Sequence, residues 1–251
     1  MKPIALQLYS LRHQAKEDFI AVLKAVAQMG YVGVEPAGLH GHKPDDVRKV
    51  LDDLGLVCCS THGPLPTTET ISLRADEAAA LGTDMIVAGL KADELKTADG
   101  IKAGIDKLAA AAALAGEANM KFGYHNHWWE FDAVDGQMPY ELIMRDVPDM
   151  FSQLDVYWAA NFGQVDVPAL LAKYAARVPL LHLKDGPLVR GEPHTAVGAG
   201  KMDIPAAIGA ADDKTLKWLI VELDECATDM AAAVRESVAY LAGEGLGRAR
   251  Q

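Results

Sequence analysis

The sequence predicts a single-domain (β/α)8 barrel, from the order of its segments, its length and the turn after its first strand. Short apolar segments alternate with amphipathic segments eight times, and no linker divides the 251 residues. Strict alternation implies a parallel sheet, and a closed barrel of eight such units takes about 250 residues. A doubly wound open sheet would need a glycine-rich first turn, which Tyr9-Ser-Leu-Arg12 is not. We therefore expect 1–251 to form one domain, with 243–251 as a loose C-terminal tail.

The strands are predicted where short apolar runs follow residues that end a helix. Gly30, Gly55 and Gly82 mark helix ends, because glycine readily takes the left-handed conformation found there. Between the strands, apolar residues recur at helical spacing, and Pro44 and Pro168 stand where helices can begin. The predicted strands cover residues 4–8, 31–35, 56–62, 84–88, 121–126, 151–155, 179–185 and 217–222.

Composition narrows the class of partner and the compartment. Lys plus Arg is 24 and Asp plus Glu is 35, so the formal net charge is −11. Such a surface repels nucleic acid and anionic membranes, and we predict neither as a partner. Cys58, Cys59 and Cys226 do not make a disulfide framework. The N-terminal apolar run is too short for a signal peptide, and the run 108–115 is too short to span a membrane, so we expect a cytoplasmic protein.

The stretch Phe122–Phe131 is the strongest candidate for a functional site. His125 and His127 are two residues apart, so they point to the same side of an extended chain, and Glu130 follows three residues later. Imidazole and carboxylate groups are common ligands of divalent metals. A single histidine here would more simply be a strand residue bonded to nearby backbone. Two histidines beside an asparagine, two tryptophans and a glutamate favour a functional site.

Other polar residues stand at the ends of the predicted strands, where a barrel gathers them at one mouth. Carboxylates and imidazoles brought together in this way need a cation or a substrate between them. A site of mixed nitrogen and oxygen ligands suits Mn²⁺, Zn²⁺, Co²⁺ or Fe²⁺, which would polarise a substrate oxygen and allow a nearby base to remove a proton. The strand-end residues are Glu35, His62, His125, His127, Asp155, His182, Lys184 and Glu222.

Several residues near the mouth allow two interpretations. Lys184 could be a base, an electrophile or simply the ion-pair partner of Asp185. Gly198-Ala-Gly200 could cradle a phosphate or could be flexible loop glycines. The aromatic residues Trp128, Trp129, Tyr157 and Trp158 could pack the mouth or stack against a sugar ring. The loop that carries His194 could close over the mouth.

Motifs along nearly the whole chain resemble those of the sugar phosphate isomerase/epimerase proteins of the xylose-isomerase-like barrel superfamily. Together they are specific for the superfamily and much less specific for a reaction. They are Leu8-Tyr-Ser-Leu-Arg12, Gly33-Val-Glu35, Thr61-His-Gly63, Tyr124-His-Asn-His127 with Glu130-Phe131, Leu154-Asp-Val-Tyr-Trp158, Leu181-His-Leu-Lys-Asp185, Gly198-Ala-Gly200 with Asp203, and Val221-Glu-Leu-Asp224.

The resemblance implies one divalent metal ion, Mn, Zn, Co, Fe or Mg. The sugar epimerases of the superfamily hold theirs with a strand-five Glu, a strand-six Asp, a strand-seven His and a strand-eight Glu. The two Glu residues act as acid and base. In this sequence Asp155, His182 and Glu222 match three of the ligands, while His125 stands where the strand-five Glu is expected. We expect His127 as the fourth ligand, with His125 and Glu130 as alternatives.

The remaining roles are our expectations for the residues at the mouth, where Glu35 would order the mouth or bind a substrate hydroxyl. Glu222 is the expected acid/base, and Lys184 and His62 are further catalytic contacts. The expected substrate-binding residues are Glu35, His125, Asn126, Trp128, Glu130 and Trp158.

The resemblance implies an isomerase or epimerase acting on a small sugar, keto-sugar or polyol. A lyase that dehydrates a keto-polyol, like an inosose dehydratase, is the enzyme alternative, and a non-catalytic sugar-binding barrel is the other. The superfamily's DNA-repair endonucleases are disfavoured, because Trp158 stands where they carry a zinc-binding His and the net charge is −11. A homo-oligomer is compatible with these features.

Overall fold

A computed structural model describes residues 1–250 as a nearly closed barrel of nine parallel strands surrounded by helices. Neighbouring strands follow the order β3-β2-β1-β9-β8-β7-β6-β5-β4, and all of their pairings are parallel. The predicted (β/α)8 barrel is therefore confirmed. The strands are β1 (Lys2–Gln7), β2 (Gly33–Glu35), β3 (Val57–Cys58), β4 (Thr61–His62), β5 (Met85–Ala88), β6 (Lys121–His125), β7 (Phe151–Asp155), β8 (Leu180–Leu183) and β9 (Trp218–Val221).

The strand predicted as continuous over 56–62 is interrupted, which explains the count of nine. β3 pairs with β2, and β4 pairs with β5, so the two halves close the barrel from opposite sides. The break lies at Cys59 and Ser60, where the Ser60 hydroxyl donates a hydrogen bond to the Glu35 carboxylate. The prediction of one unbroken strand was wrong: Val57–Cys58 pair with β2, Thr61–His62 pair with β5, and residues 59–60 between them belong to neither ladder.

The helices cover the outside of the barrel and begin and end with the residue types expected of them. Asp18, Asp166 and Asp229 each accept a hydrogen bond from a backbone amide in the first turn of the following helix. Gly30 and Gly55 end helices with φ of 102° and 61°. The helices are α1 (Arg12–Glu17), α2 (Phe19–Met29), α3 (Pro44–Leu54), α4 (Ile71–Leu81), α5 (Ala98–Glu117), α6 (Pro139–Asp146), α7 (Val156–Ala159), α8 (Val167–Tyr174), α9 (Ile204–Gly209) and α10 (Met230–Gly243).

The barrel interior is apolar on one level and polar on the next, because alternate residues of a strand face the same side. A small apolar cluster fills the interior with Ala5, Cys59, Met85, Val87, Leu180 and Ile220. Two residues further along several of these strands, toward their C-terminal ends, the side chains are polar. Gln7 follows Ala5, His182 follows Leu180, and Glu222 follows Ile220. The fold thus places a polar layer directly above an apolar one at the barrel mouth.

The C-terminal tail is attached to the barrel and is not loose. Strand β10 (Gly247–Arg248) pairs with Lys2 and Pro3, and the Arg250 amide donates a hydrogen bond to the Gly30 carbonyl at 2.8 Å. The expectation of a loose tail over 243–251 is therefore wrong for residues 243–250, because the backbone of 247–250 finds hydrogen-bond partners on the first strand and at the end of α2. Gln251 lies outside the described residues. Within residues 1–250, no helix is long and apolar enough to cross a membrane.

Candidate metal centre at the barrel mouth

Four buried side chains from four neighbouring strand ends offer donor atoms to one point in the barrel. They come from β6, β7, β8 and the residue after β9, and their donor atoms all lie within 4.8 Å of one another. Each of the four is at most 5 % exposed. Two imidazoles and two carboxylates make a donor set suited to Mn²⁺, Fe²⁺, Co²⁺ or Zn²⁺. The four residues are His125, Asp155, His182 and Glu222.

A glutamine on β7 orients the imidazole of His125. The Gln153 side chain uses its Nε2 to donate to the Glu35 carboxylate, so its Oε1 faces His125. That oxygen is 3.0 Å from Nδ1 of His125, which must therefore carry the proton. The second nitrogen, Nε2, keeps its lone pair and makes no hydrogen bond to any residue in 1–250. A fixed tautomer with the other nitrogen free is the arrangement expected of a metal-binding histidine.

His182 lies between two carboxylates. Its Nδ1 is 2.9 Å from Glu222 Oε2 and its Nε2 is 3.0 Å from Glu35 Oε1. Burial alone would lower the pKa of His182, but the two carboxylates outweigh it and raise the pKa to about 10. In the metal-free protein His182 is therefore a cation at neutral pH, and a metal would have to displace one of its protons.

Glu35 is hydrogen-bonded to residues around the donor cluster and does not line the cavity. It is fully buried and accepts hydrogen bonds from Gln7, Ser60 and Gln153 as well as from His182. Burial opposes the ionisation of Glu35, yet the positive charge and hydrogen bond of His182 hold its pKa well below the usual range. Glu35 was expected either to order the mouth or to bind a substrate hydroxyl. Its oxygens are occupied by protein donors, which fits the first alternative and not the second.

The ammonium group of Lys184 is buried among three carboxylates. Its Nζ lies 2.8 Å from Glu222 Oε2, 2.9 Å from Asp224 Oδ2 and 3.0 Å from Asp155 Oδ2. Burial favours the neutral amine, but these three charges outweigh it and raise the pKa of Lys184 well above its usual value. Its partners do not include Asp185, which was one interpretation of the sequence.

Asp155 provides the clearest sign that a cation fits this site. Its Oδ1 accepts a hydrogen bond from the backbone of Trp158 at 2.9 Å. Its Oδ2 is buried and has no correctly oriented donor in the described chain, although Lys184 Nζ is 3.0 Å away. Burial raises the pKa of Asp155 to about 6, against the charges of Lys184 and His182. Lys184 balances the charge of this oxygen in the metal-free protein, and the lack of a hydrogen bond leaves Oδ2 available to a metal ion.

Asn126 and Glu130 hold the backbone around the donor group through buried hydrogen bonds. The Asn126 side chain bonds both backbone groups of Asp155, through Oδ1 at 3.0 Å and Nδ2 at 3.2 Å. Glu130 accepts hydrogen bonds from the Tyr124 hydroxyl at 2.6 Å and the His127 amide at 2.9 Å. Burial raises the pKa of Glu130 to about 8. Both residues were expected to touch substrate, but both are fully buried and neither lines the cavity.

His127, the expected fourth ligand, is turned toward Trp129 and does not belong to the donor group. The two rings stack with centroids 4.1 Å apart and an angle of 9° between their planes. Strand β6 ends at His125, so the alternation that would align the two histidines stops before His127. Burial and the charge of Lys184 lower the pKa of His127 to about 3, and its Nδ1 has no hydrogen-bond partner within residues 1–250.

A cavity of about 480 Å³ opens above the donor cluster. Of the four donors, only His125 and Glu222 line it, together with the predicted residues His62, His127 and Trp158. The sequence interpretation gave no role to the others at the wall. Period-two alternation from the buried strand β1 could have identified Gln7. The remaining wall residues follow strands β1, β2 and β9, in short turns or at the start of a helix, where strand alternation no longer applies. They are Tyr9, Arg12, Ala37, Asp224 and Glu225.

Trp128 faces a separate pocket. Its ring lies under the Arg190 guanidinium, whose Cζ is 3.9 Å from the ring centroid. Arg190 also pairs with Asp132 at 3.2 Å. This pocket of about 170 Å³ lies on the far side of the stacked His127 and Trp129 rings. Trp128 was expected to contact substrate, but the structure does not bring it to the main cavity.

The glycine-rich loop after β8 is folded around Asp185. The four backbone amides of Gly186, Gly198, Gly200 and Met202 donate to its carboxylate at 2.8–3.0 Å. A Cβ at Gly200 would lie 2.1 Å from Asp185 Oδ1, so glycine is required there. The two loop glycines therefore use their amides on a carboxylate of the protein rather than on a phosphate.

His194 shows that this loop is packed against the mouth. Its ring centroid lies 5.1 Å from that of Trp158, and its Nδ1 accepts from the Asp224 amide at 3.2 Å.

Comparisons with solved structures show the same fold in other proteins, two of which are named for reactions of sugars. A sugar phosphate isomerase/epimerase from Parabacteroides distasonis ATCC 8503 is 26 % identical over 96 % of this chain and 93 % of its own, with a TM-score of 0.79. An L-ribulose 3-epimerase is 17 % identical over 98 % and 95 %, with a TM-score of 0.73. The IOLI protein with a binding zinc atom is 14 % identical over 97 % and 99 %, with a TM-score of 0.71. The last two establish the fold alone.

Sequence comparison identifies the family. No curated protein matches the chain. The family model described as xylose isomerase-like TIM barrel matches residues 23–243, which is most of the chain. The chain therefore belongs to the xylose isomerase-like TIM barrel family.

Proposed function

We propose that this chain is a cytoplasmic, divalent-metal-dependent isomerase or epimerase acting on a sugar, keto-sugar or polyol. The observation that supports it best is the group of four donors, His125, Asp155, His182 and Glu222, two of which line a cavity large enough for a small sugar. The similarity to a sugar phosphate isomerase/epimerase agrees with this substrate class.

The four donors would hold one metal ion, and their chemistry fits it. Two buried imidazoles and two buried carboxylates offer nitrogen and oxygen, and Asp155 Oδ2 lacks a hydrogen bond. The bound metal would supply Lewis acidity toward a substrate oxygen.

Glu222 is the proposed proton acceptor. It is the one carboxylate of the donor group that also lines the cavity. Burial opposes its ionisation, but Lys184 and His182 hold the pKa of Glu222 well below its usual value. The carboxylate is thus ionised in the metal-free protein, and a bound metal ion would supply the positive charge in place of those two groups. Glu222 can then take a proton from a carbon that becomes acidic beside a carbonyl.

The cavity walls would orient the substrate. Trp158 offers an apolar face on which a sugar ring can lie, while His62 and Arg12 offer hydrogen-bonding groups. The Trp158 backbone is fixed by Asp155, which couples the position of this wall to the donor cluster.

A lyase reaction on the same site is the second candidate, and the identity of the residue at the end of β6 favours it. His125 stands where epimerases of this superfamily have a second carboxylate, so the donor group presents one carboxylate to the cavity. Inversion at carbon needs proton transfer on two faces, whereas isomerisation and dehydration proceed with one carboxylate base and a second group of another kind.

Deuterium exchange tests the proposal. The purified protein with Mn²⁺ is incubated in D2O with a panel of keto-sugars and polyols, and the products are followed by NMR and mass spectrometry. We expect deuterium beside the carbonyl, lost with a chelator and restored by Mn²⁺. A product that differs from the substrate only by the exchanged deuterium indicates isomerisation or epimerisation. A product that has also lost water indicates the lyase.

Two variants complete the test. Glu222→Gln should lower turnover by about 10²–10⁴-fold, the contribution expected of a general base. Glu225→Gln removes a neighbouring carboxylate at the cavity wall and should keep most of the activity. Full activity in Glu222→Gln, or activity that survives complete metal removal, would contradict the assignment. Sugar binding without any turnover would support a binding barrel instead.

A further inference from the structure

Lys184 forms ion pairs with two of the proposed metal ligands. Its ammonium is 3.0 Å from Asp155 Oδ2 and 2.8 Å from Glu222 Oε2, and both residues belong to the donor group. The side chain is 1 % exposed, so water does not screen these contacts. A divalent ion bound to these two residues would repel the ammonium, because two cations a few ångströms apart interact strongly where water is excluded.

Asp224 is the third carboxylate on the ammonium and differs from the other two. Its Oδ2 lies 2.9 Å from Lys184 Nζ, but it does not belong to the donor group. Its side chain is 32 % exposed and lines the cavity. An ammonium that leaves Asp155 and Glu222 can therefore keep one charged partner, and that partner lies at the cavity wall.

We propose that Lys184 competes with the metal ion for Asp155 and Glu222, and that Asp224 is the positioning residue that retains the displaced ammonium. This inference rests on the proposed metal site. Lys184 balances the buried carboxylates while metal is absent. When the metal binds, the ion neutralises Asp155 and Glu222 instead. The Lys184 ammonium then keeps only its ion pair with Asp224, beside the substrate cavity. Asp224 thus lowers the cost of loading the site without contacting the metal.

The proposal predicts opposite effects of two substitutions on metal affinity. Lys184→Met removes the competitor, so Mn²⁺ should bind at least about tenfold more tightly, since a buried neighbouring charge is removed. Asp224→Asn removes the alternative partner and should weaken Mn²⁺ binding by about two- to fivefold, the effect expected from the loss of one partly exposed ion pair. A purely structural role for the two residues would weaken binding in both variants.

Isothermal titration with Mn²⁺, repeated with Zn²⁺, measures these affinities, and melting temperatures with and without metal give a second readout. The metal-free Lys184→Met protein should melt at a lower temperature than the wild type and gain more from added metal, because three carboxylates lose their cation. Glu225→Gln is the matched control: it removes one negative charge from the same cavity wall, and Glu225 makes no ion pair with Lys184 in residues 1–250.

The outcomes separate the two proposals. A wild-type protein that binds neither ion would overturn the metal site and the proposed function together. Metal binding by the wild type with unchanged or weaker binding by Lys184→Met would overturn only the competition. If Lys184→Met does not fold, Asp224→Asn decides: affinity equal to that of Glu225→Gln rejects the role of Asp224, and a loss specific to Asp224→Asn supports it.

Discussion

The Gln153 side-chain oxygen lies 3.0 Å from Nδ1 of His125, and the other end of the same amide binds Glu35. Glu35 fixes the amide, the amide fixes the imidazole proton, and the imidazole presents its second nitrogen to the donor cluster. The hydrogen-bond partners of metal ligands orient those ligands, and their loss commonly weakens metal binding.

Gln153→Leu should weaken metal binding about 10–100-fold while leaving all four donors in place. His125 would lose the acceptor for its Nδ1 proton, and Glu35 would lose one donor. Titration with Mn²⁺ measures the change. Gln14→Leu, on the exposed surface of α1, is the control and should bind metal like the wild type. Equal affinity in the two variants would mean that Gln153 does not orient His125.

Gly200→Ala should destabilise the protein by about 2 kcal/mol, the typical cost of forcing a carbon into a filled space. The added Cβ would meet Asp185 Oδ1 at 2.1 Å and the Gly186 amide nitrogen at 2.3 Å. Gly116→Ala is the control, since a Cβ there meets nothing within 4 Å and alanine favours α5 by about 0.5–1 kcal/mol. Urea unfolding of both variants measures the difference, and equal stability would contradict the packing described for Asp185.

Metal affinity should rise with pH. The pKa of His182 is raised to about 10 by Glu35 and Glu222, so the metal-free protein carries a proton there at neutral pH. A metal ligand must be unprotonated, so binding releases this proton, and affinity should increase about tenfold per pH unit between pH 6 and 8. Titrations in buffers of different ionisation enthalpy count the released protons. A pH-independent affinity would show that His182 is neutral before metal binds.

Trp158→Ala should raise KM about tenfold for any sugar that undergoes exchange, because the apolar wall of the cavity is removed. Trp128→Ala should change KM little, since Trp128 packs against Arg190 in a separate pocket. Steady-state kinetics of the two variants compares them directly. A larger effect at Trp128 would place the substrate on the other side of the His127–Trp129 stack.

The barrel could be predicted from the sequence because its segments repeat one simple pattern. Glycines such as Gly30, Gly55 and Gly82 mark the ends of helices. The apolar strands that follow them, and the polar residues at the strand ends, can be recognised from the local sequence. The break at Ser60 and the pairing of Gly247 were missed, because both depend on partners far away in the chain: strands β2 and β5 at the break, and Lys2 for Gly247. No local pattern reports such a contact.

The candidate site was predictable to the extent that strand alternation continues. Asp155, His182 and Glu222 stand at strand ends and converge as the sequence indicates. His127 lies two residues beyond the end of β6, where alternation no longer determines direction, and stacking on Trp129 decides it instead. Gln153 was overlooked although it shares a strand face with Asp155, because an uncharged amide gives no chemical signal until its partners are known.

The metal content of the purified protein tests the proposed metal centre most directly. Elemental analysis would compare the wild type with Asp155→Ala, His125→Ala and His127→Ala after identical loading and desalting. We expect about one divalent transition metal per chain in the wild type and in His127→Ala. We expect little or none in Asp155→Ala and His125→Ala. Metal retained by His125→Ala and lost from His127→Ala would contradict the donor set. No metal in the wild type, even after reconstitution, would contradict the metal centre itself.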